Sequence, residues 1–141
     1  MLKYEYSGKQ VSKLMKELGS KVKNLEPPLQ GWGGYMEDET EKQFVTQSDP
    51  DGQPWAALAP STLAQKRREG YPDDILTRTK KMRRSVKAIA SSRSVEIRID
   101  FPAQFHQEGT DKMPQRRILG LNNERKGELR RRVRVYIGGR R

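Results

Sequence analysis

His106, the one histidine of the chain, has Glu108 and Asp111 close by in sequence, a grouping that could trade protons or hold a nuclease-like metal. A lone loop histidine more often positions a hydrogen bond, and no activated nucleophile stands beside this one, so no catalytic residue is assigned and no enzymatic activity is expected. The acid pairs Asp49/Asp51 and Asp73/Asp74 are the other oxygen-ligand sets. Asp49-Pro50-Asp51-Gly52 opens like a calcium loop but lacks its closing glutamate, and no metal site is expected. With no cysteine and one histidine, disulfides, thiolate metal sites and His-pair zinc sites drop out. No phosphate-binding loop or dinucleotide fingerprint occurs, since the glycines of Gly31-Trp32-Gly33-Gly34 lie beside prolines and follow no credible strand. No cofactor is expected.

Charge is the stronger signal. The 141 residues hold 29 Lys+Arg against 18 Asp+Glu, a net charge of +11. Residues 1–70 carry ten of each sign, whereas residues 71–141 carry nineteen basic and eight acidic side chains, so the second half holds the whole excess. Two basic groups dominate: Arg78, Lys80, Lys81, Arg83, Arg84 and Lys87, and then Arg130, Arg131, Arg132 and Arg134. Both are interface or channel candidates, able to meet phosphates or an acidic protein surface. No helix-turn-helix spacing, zinc finger or aromatic RNA platform accompanies them, so nucleic-acid contact would be sequence-neutral. The acidic run of Glu37, Asp38, Glu39 and Glu41 reads either as solvated surface or as a face for a basic patch on a neighbouring copy. No apolar run approaches the ~18 residues of a membrane span, and the first ten residues lack the apolar centre of a signal peptide.

Several elements must position these groups. Val11, Leu14, Leu18, Val22 and Leu25 recur at helical steps and predict an amphipathic helix over residues 7–25, with Ser7 and Gln10 as a capping box and Pro27-Pro28 as its stop. Leu29, Trp32, Met36 and Phe44 point to a second helix over about 32–46. Residues 46–55 are dense in turn formers and end on Trp55, which with Leu58 and Leu63 is expected to pin this loop to the core. A short helix is predicted from Pro60 to Arg68, ended by Gly70-Tyr71-Pro72, and a basic-faced helix from Asp74 to Ala90, with Thr77 or Thr79 as cap. Val95, Ile97 and Ile99 alternate with Glu96, Arg98 and Asp100, the pattern of a strand buried on one face. Phe101, Ala103 and Phe105 extend that parity and predict a further extended segment; residues 106–117 read as a polar loop turning at Gly109 and Pro114. Asn122 or Asn123 caps a final helix with Leu129, Val133, Tyr136 and Ile137 on one stripe, ended by Gly138-Gly139 and followed by Arg140-Arg141; a strand over 133–137 is the rival reading.

Asp51-Gly52 followed by Trp55-Ala56-Ala57-Leu58, then Thr62 and Lys66, then Leu76, Thr77, Met82 and Ser85, then His106-Gln107 with Gly109, and last Met113-Pro114 with Arg116, Leu119, Gly120 and Leu121 stand in an order that resembles the phage virion morphogenesis family, the tail completion proteins of Mu-like and related contractile-tailed phages. The final segment is the most specific correspondence. Two positions depart from the pattern: Lys80 stands where a glycine is usual, which puts the turn before the basic helix in doubt, and Arg117 stands where a proline is usual. The match runs over residues 50–121.

The resemblance implies a single α+β domain over residues 1–141, with N-terminal helices (7–46), the family-like core (50–121), a small antiparallel or mixed sheet and a C-terminal helix at about 122–137. It also implies a virion component made in the host cytoplasm and built into the neck or head-proximal end of the tail, for tail completion or head-tail joining. As a ring subunit, for which a hexamer fits, it would meet copies of itself and tail-tube, tail-terminator or neck proteins, with sequence-neutral contact to DNA in the channel. A free-standing non-specific DNA-binding accessory protein is the alternative. Heterologous ring contacts need two complementary faces, which the acidic run and the 78–87 basic group offer. Arg116 is expected to anchor its segment through a carboxylate or main-chain carbonyls.

Overall fold

The computed structural model describes residues 2–6, 13, 14, 16, 17, 22–100 and 102–138. It is an α+β fold: β1 (Leu2–Tyr6), α1 (Glu26–Thr46), α2 (Pro60–Arg68), α3 (Lys81–Arg84), β2 (Lys87–Ala90), β3 (Val95–Ile99), α4 (Ala103–Glu108) and α5 (Asn123–Gly138). The three strands lie in the order β1-β3-β2, and β2 pairs antiparallel with β3 through Lys87 opposite Arg98 and Ala90 opposite Val95. Within this one domain two compact units interleave along the chain: residues 1–2, 39–86 and 99–120 form one, residues 3–38, 87–98 and 121–141 the other.

The second of these, the sheet unit, is organised by periodicity. Val95 and Ile97 on β3 are fully buried while Glu96 and Arg98 are half-buried, as the alternation predicts. α5 buries Leu129 and Val133, and its first turn is closed by Asn122, whose Oδ1 accepts the Arg125 N–H at 2.8 Å, so the helical reading of 133–137 holds over the strand. Leu25, Leu29, Trp32 and Met36 complete the apolar interior, with Trp32 Nε1 donating to the Arg125 carbonyl at 3.0 Å. Of the helix expected over 7–25, the described residues 13, 14, 16 and 17 are helical; Ser7, Gln10, Val11 and Leu18 lie outside the described residues, as do Phe101, Gly139, Arg140 and Arg141.

Three expectations are corrected. Residues 22–25 are not helical, and Pro27-Pro28 begin α1 instead of ending its predecessor. The first-turn N–H groups of a helix have no intrahelical partner, so two prolines there forfeit nothing. α1 therefore starts six residues before the expected 32, with its glycines inside it. A Cβ on Gly33 would stand 3.0 Å from the Ala88 Cβ, so the absent side chain is what lets α1 lie against β2. Second, the expected helix over 74–90 is a series of turns, one turn of helix (α3) and then a strand (β2). Leu76 and Lys80 both have positive φ (58° and 64°), which an α-helix cannot accommodate, and residues 87–90 find ladder partners on β3. Neither threonine caps α3 in the standard way: its N-cap position is Lys80. Third, residues 103–108 form a helix, α4, where an extended segment and then a loop were expected.

Candidate functional site

The other unit, residues 1–2, 39–86 and 99–120, holds nearly all of the family-like motif, and its geometry explains why those residue types stand in that order. The loop after α1 turns at Asp49, whose Oδ1 accepts the N–H groups of Asp51 (2.8 Å) and Gln53 (2.9 Å), while Gly52 donates to the Asp49 carbonyl at 3.0 Å. That turn delivers Trp55 to the interior. Its indole meets the Phe44 ring edge-on at 5.5 Å and donates to the Arg117 carbonyl at 2.8 Å, so Trp55 pins the loop as expected; Leu58 and Leu63 are half-buried.

Gln107 on α4 straps the segment that follows. Its Nε2 donates to the Leu119 carbonyl (2.7 Å), and its Oε1 accepts the N–H groups of Ile118 (2.8 Å) and Leu119 (2.9 Å). One primary amide thus substitutes for a missing strand partner. Gly109 has φ 76° and leaves room for the returning chain, because a Cβ would stand 3.0 Å from the Gln115 nitrogen. Thr110 and Met113 pair as an isolated antiparallel bridge that closes the turn before Pro114. Arg116 is buried, and its Nε donates to the Ala56 carbonyl at 2.8 Å and a terminal nitrogen to the Ala57 carbonyl at 3.0 Å, the second of the two anchor types expected. With carbonyls and no carboxylate as partners, burial pulls its guanidinium below the usual arginine value. Leu119 and Gly120 are buried behind it, and Pro50 lies 2.9 Å from where a Gly120 Cβ would stand. Leu121 falls in the sheet unit, where it borders a cavity with Leu14 and Leu129.

Lys80 has φ of 64°, the left-handed conformation, so this chain makes a turn here of the kind glycine adopts without strain. Arg117, at the usual proline, ion-pairs with Asp51 at 3.1 Å.

The same unit carries a groove of about 770 Å³ whose lining includes Leu58, Leu76, Met82, Met113 and Pro114. Six cationic side chains line it, Lys66, Arg78, Lys80, Lys81, Lys112 and Arg116, against one carboxylate, Glu69. Three of the six are committed internally. Lys66 Nζ donates to the carbonyls of Asp74 (2.7 Å) and Thr77 (2.9 Å), and burial lowers its pKa; Arg78 pairs with Glu69 at 2.9 Å and stacks over Tyr71; Arg116 holds its two carbonyls. Lys80, Lys81 and Lys112 form no ion pair among the described residues.

His106 also borders this groove, but its Nδ1 is buried and makes no hydrogen bond among the described residues. Burial, and then the neighbouring Arg116 charge, lower its pKa, so the ring is held neutral. No hydrogen bond joins it to Glu108 or Asp111, both exposed, and among the described residues no acidic or histidine cluster could hold a metal ion.

The charged candidates divide in the same way. The Arg83 guanidinium, with 15% of its side chain exposed, forks onto the Glu41 carboxylate, an ion pair that holds Glu41 below the usual carboxylate range. Glu39 pairs with Lys42 at 3.0 Å, and Glu37 accepts the Ala88 N–H at 2.7 Å. Asp38 is exposed. On α5, Arg130 meets Glu17 at 3.3 Å, and Arg131 and Arg132 both meet Glu128, at 2.6 and 2.8 Å. Arg84, Lys87 and Arg134 form no ion pair among the described residues.

Two straps escaped the sequence reading. Gln43 Nε2 donates to the Ile118 carbonyl at 2.7 Å, and Gln47 Oε1 accepts the Ile75 N–H at 2.8 Å. A signal for the first existed: Gln43 lies seven residues after Met36 on the buried stripe of α1, where a polar side chain implies a buried partner.

No helix among the described residues is long and apolar enough to cross a membrane. No curated protein and no solved structure matches the chain at a significant level. The chain does match the model of the Phage virion morphogenesis family over residues 6–138, a span that takes in the groove, its straps and the sheet unit. Its role therefore lies in phage virion morphogenesis and tail assembly, as a phage-associated protein. With a match along nearly its whole length, the chain belongs to the phage virion morphogenesis family.

Proposed function

We propose that the protein is a ring-forming structural subunit at the neck or head-proximal end of the tail, of the kind that completes tails or joins them to heads in Mu-like and related contractile-tailed phages. It acts by docking and not by catalysis, and needs no cofactor. The observation that carries the reading is the groove: a concave face lined by motif residues, with Lys80, Lys81 and Lys112 on it forming no ion pair among the described residues. Charge left unpaired beside apolar surface is what a protein contact uses for orientation. A cyclic ring, with a hexamer as the fitting copy number, needs two unlike faces on each subunit. Asp38, and Arg84 and Lys87, which form no ion pair among the described residues, are the remaining self-contact candidates, since Arg83 and Glu41 already satisfy one another within the chain. Tail-tube, tail-terminator or neck proteins are the neighbours this reading expects.

The rival, a free-standing DNA binder, is weakened by the α5 arginines, three of which are spent on carboxylates. Electron microscopy of phage assembled without this protein is the test: tails should be incomplete or detached from heads, and restored by the wild-type chain. Complete, head-joined tails in its absence would refute the assembly role. Mass measurement of the purified chain reports the ring separately.

A further inference from the structure

We infer that the groove of the motif-bearing unit is a receptor for an acidic, leucine- or methionine-bearing segment of a different protein, with Lys80, Lys81 and Lys112 reading its carboxylates and Leu58, Met82 and Met113 its apolar anchor. This deepens the assembly reading, on which it rests only for where the partner is found; the recognition chemistry rests on the groove alone.

Each property of the ligand follows from one of the site. A volume of about 770 Å³ is that of a ligand-sized cleft, larger than one side chain needs. Leu58, Leu76, Met82 and Met113 give the lining apolar surface, and methionines adapt to varied partner side chains. Phosphate groups would gain nothing from Leu58, Met82 and Met113, so a nucleic-acid backbone matches half of the site and an amphipathic peptide matches all of it. The free charge is of one sign, with the single lining carboxylate, Glu69, already held by Arg78.

A second copy of this chain does not supply the segment from its acidic run. Glu37, Glu39 and Glu41 are bound within their own subunit, and Met36 and Thr40 between and beside them are fully buried, so that run cannot enter a groove without unfolding α1. With that run set aside, the occupant proposed is another polypeptide.

Fluorescence anisotropy with a labelled twelve-residue peptide of alternating aspartate and glutamate carrying two leucines four residues apart tests this on the full chain. Binding with Kd of roughly 10–100 μM is expected, a range usual for a short segment without a preorganised partner. The triple variant Lys80→Glu, Lys81→Glu, Lys112→Glu alters exposed side chains and should melt like the wild type while binding at least about tenfold more weakly. Met113→Ser should weaken the peptide about threefold or more and leave any duplex DNA binding unchanged. The proposal is overturned if the peptide does not bind at roughly millimolar concentration, if a peptide with serines for its leucines binds equally, or if duplex DNA displaces the peptide and loses affinity in the triple variant. Peptide binding that survives while tails still assemble without the protein would sink the assembly reading and leave this one standing.

Discussion

The sheet unit is held by side chains that avoid water, and the groove unit by side chains that reach the main chain. In the first, Leu25, Leu29, Trp32, Met36, Val95, Ile97, Leu129 and Val133 come from regular helices and a strand whose periods bring them to one side. In the second, Gln43, Gln47, Trp55, Lys66, Gln107 and Arg116 each bond to a carbonyl or N–H of a loop that has no ladder of its own. Apolar packing tolerates exchange between similar shapes, because its energy scales with area and volume. A strap does not, because a side chain of similar shape without the polar group cannot replace its directed hydrogen bonds. A surface made of loops can present carbonyls, cations and apolar floor together, which is the mixture that the groove displays.

The largest expected effects set the two tryptophans against each other. Trp32→Ala and Trp55→Ala should each cost about 3–5 kcal/mol, read by urea denaturation. Hydrogen exchange should separate them, the first loosening α5 and β3 and the second the amides of 47–57 and 116–119. Equal loss of protection throughout the chain in both variants would erase the distinction between the units.

A smaller difference comes from shape-conserving changes. Arg116→Met should cost about 2–4 kcal/mol, because the Ala56 and Ala57 carbonyls lose their donors, whereas Leu129→Met should cost less than about 1.5 kcal/mol. If the two cost the same, the groove unit is packed and not strapped.

Acid should then find His106 first. Its pKa is lowered by folding, so the unfolded chain binds the proton more readily, and the stability that this contributes is fully present above 6.5 and is lost as pH falls from 6.5 through the folded value. Denaturation midpoints taken from pH 7 down to pH 5 should decline in the wild type and flatten in His106→Gln; a parallel decline in both would assign the loss to other groups.

The smallest effect is a gain. Lys80→Gly relieves a left-handed residue that carries a side chain, and should raise stability by about 1 kcal/mol, net of the entropy that glycine adds to the unfolded chain. A melting temperature unchanged or lowered would show that the lysine side chain repays its strain.

Where a signal depends on neighbours a few residues apart, it was legible. The alternation of β3, an asparagine cap at 122 or 123 and Pro60 at the head of α2 are decided by local geometry and legible in residue types alone; a turn within 46–55 is legible too, but not that Asp49 closes it. The ordered motif from Asp51 to Leu121 likewise told the family, because those residues are straps whose chemistry admits few substitutes. What lay beyond reach was decided at a distance. Residues 87–90 carry no strong preference against a helix, and become a strand because β3 offers hydrogen bonds to them. Gly33 of α1 looks like a breaker until Ala88 is found 3.0 Å from where its Cβ would stand. Arg83 and Glu41, forty-two residues apart, were read as opposite outward faces and prove to be one pair. Period, cap and turn are energies of the near chain, available to a reader of sequence; partner choice among charges and edges is an energy of contact, and only the tertiary structure decides which contacts exist.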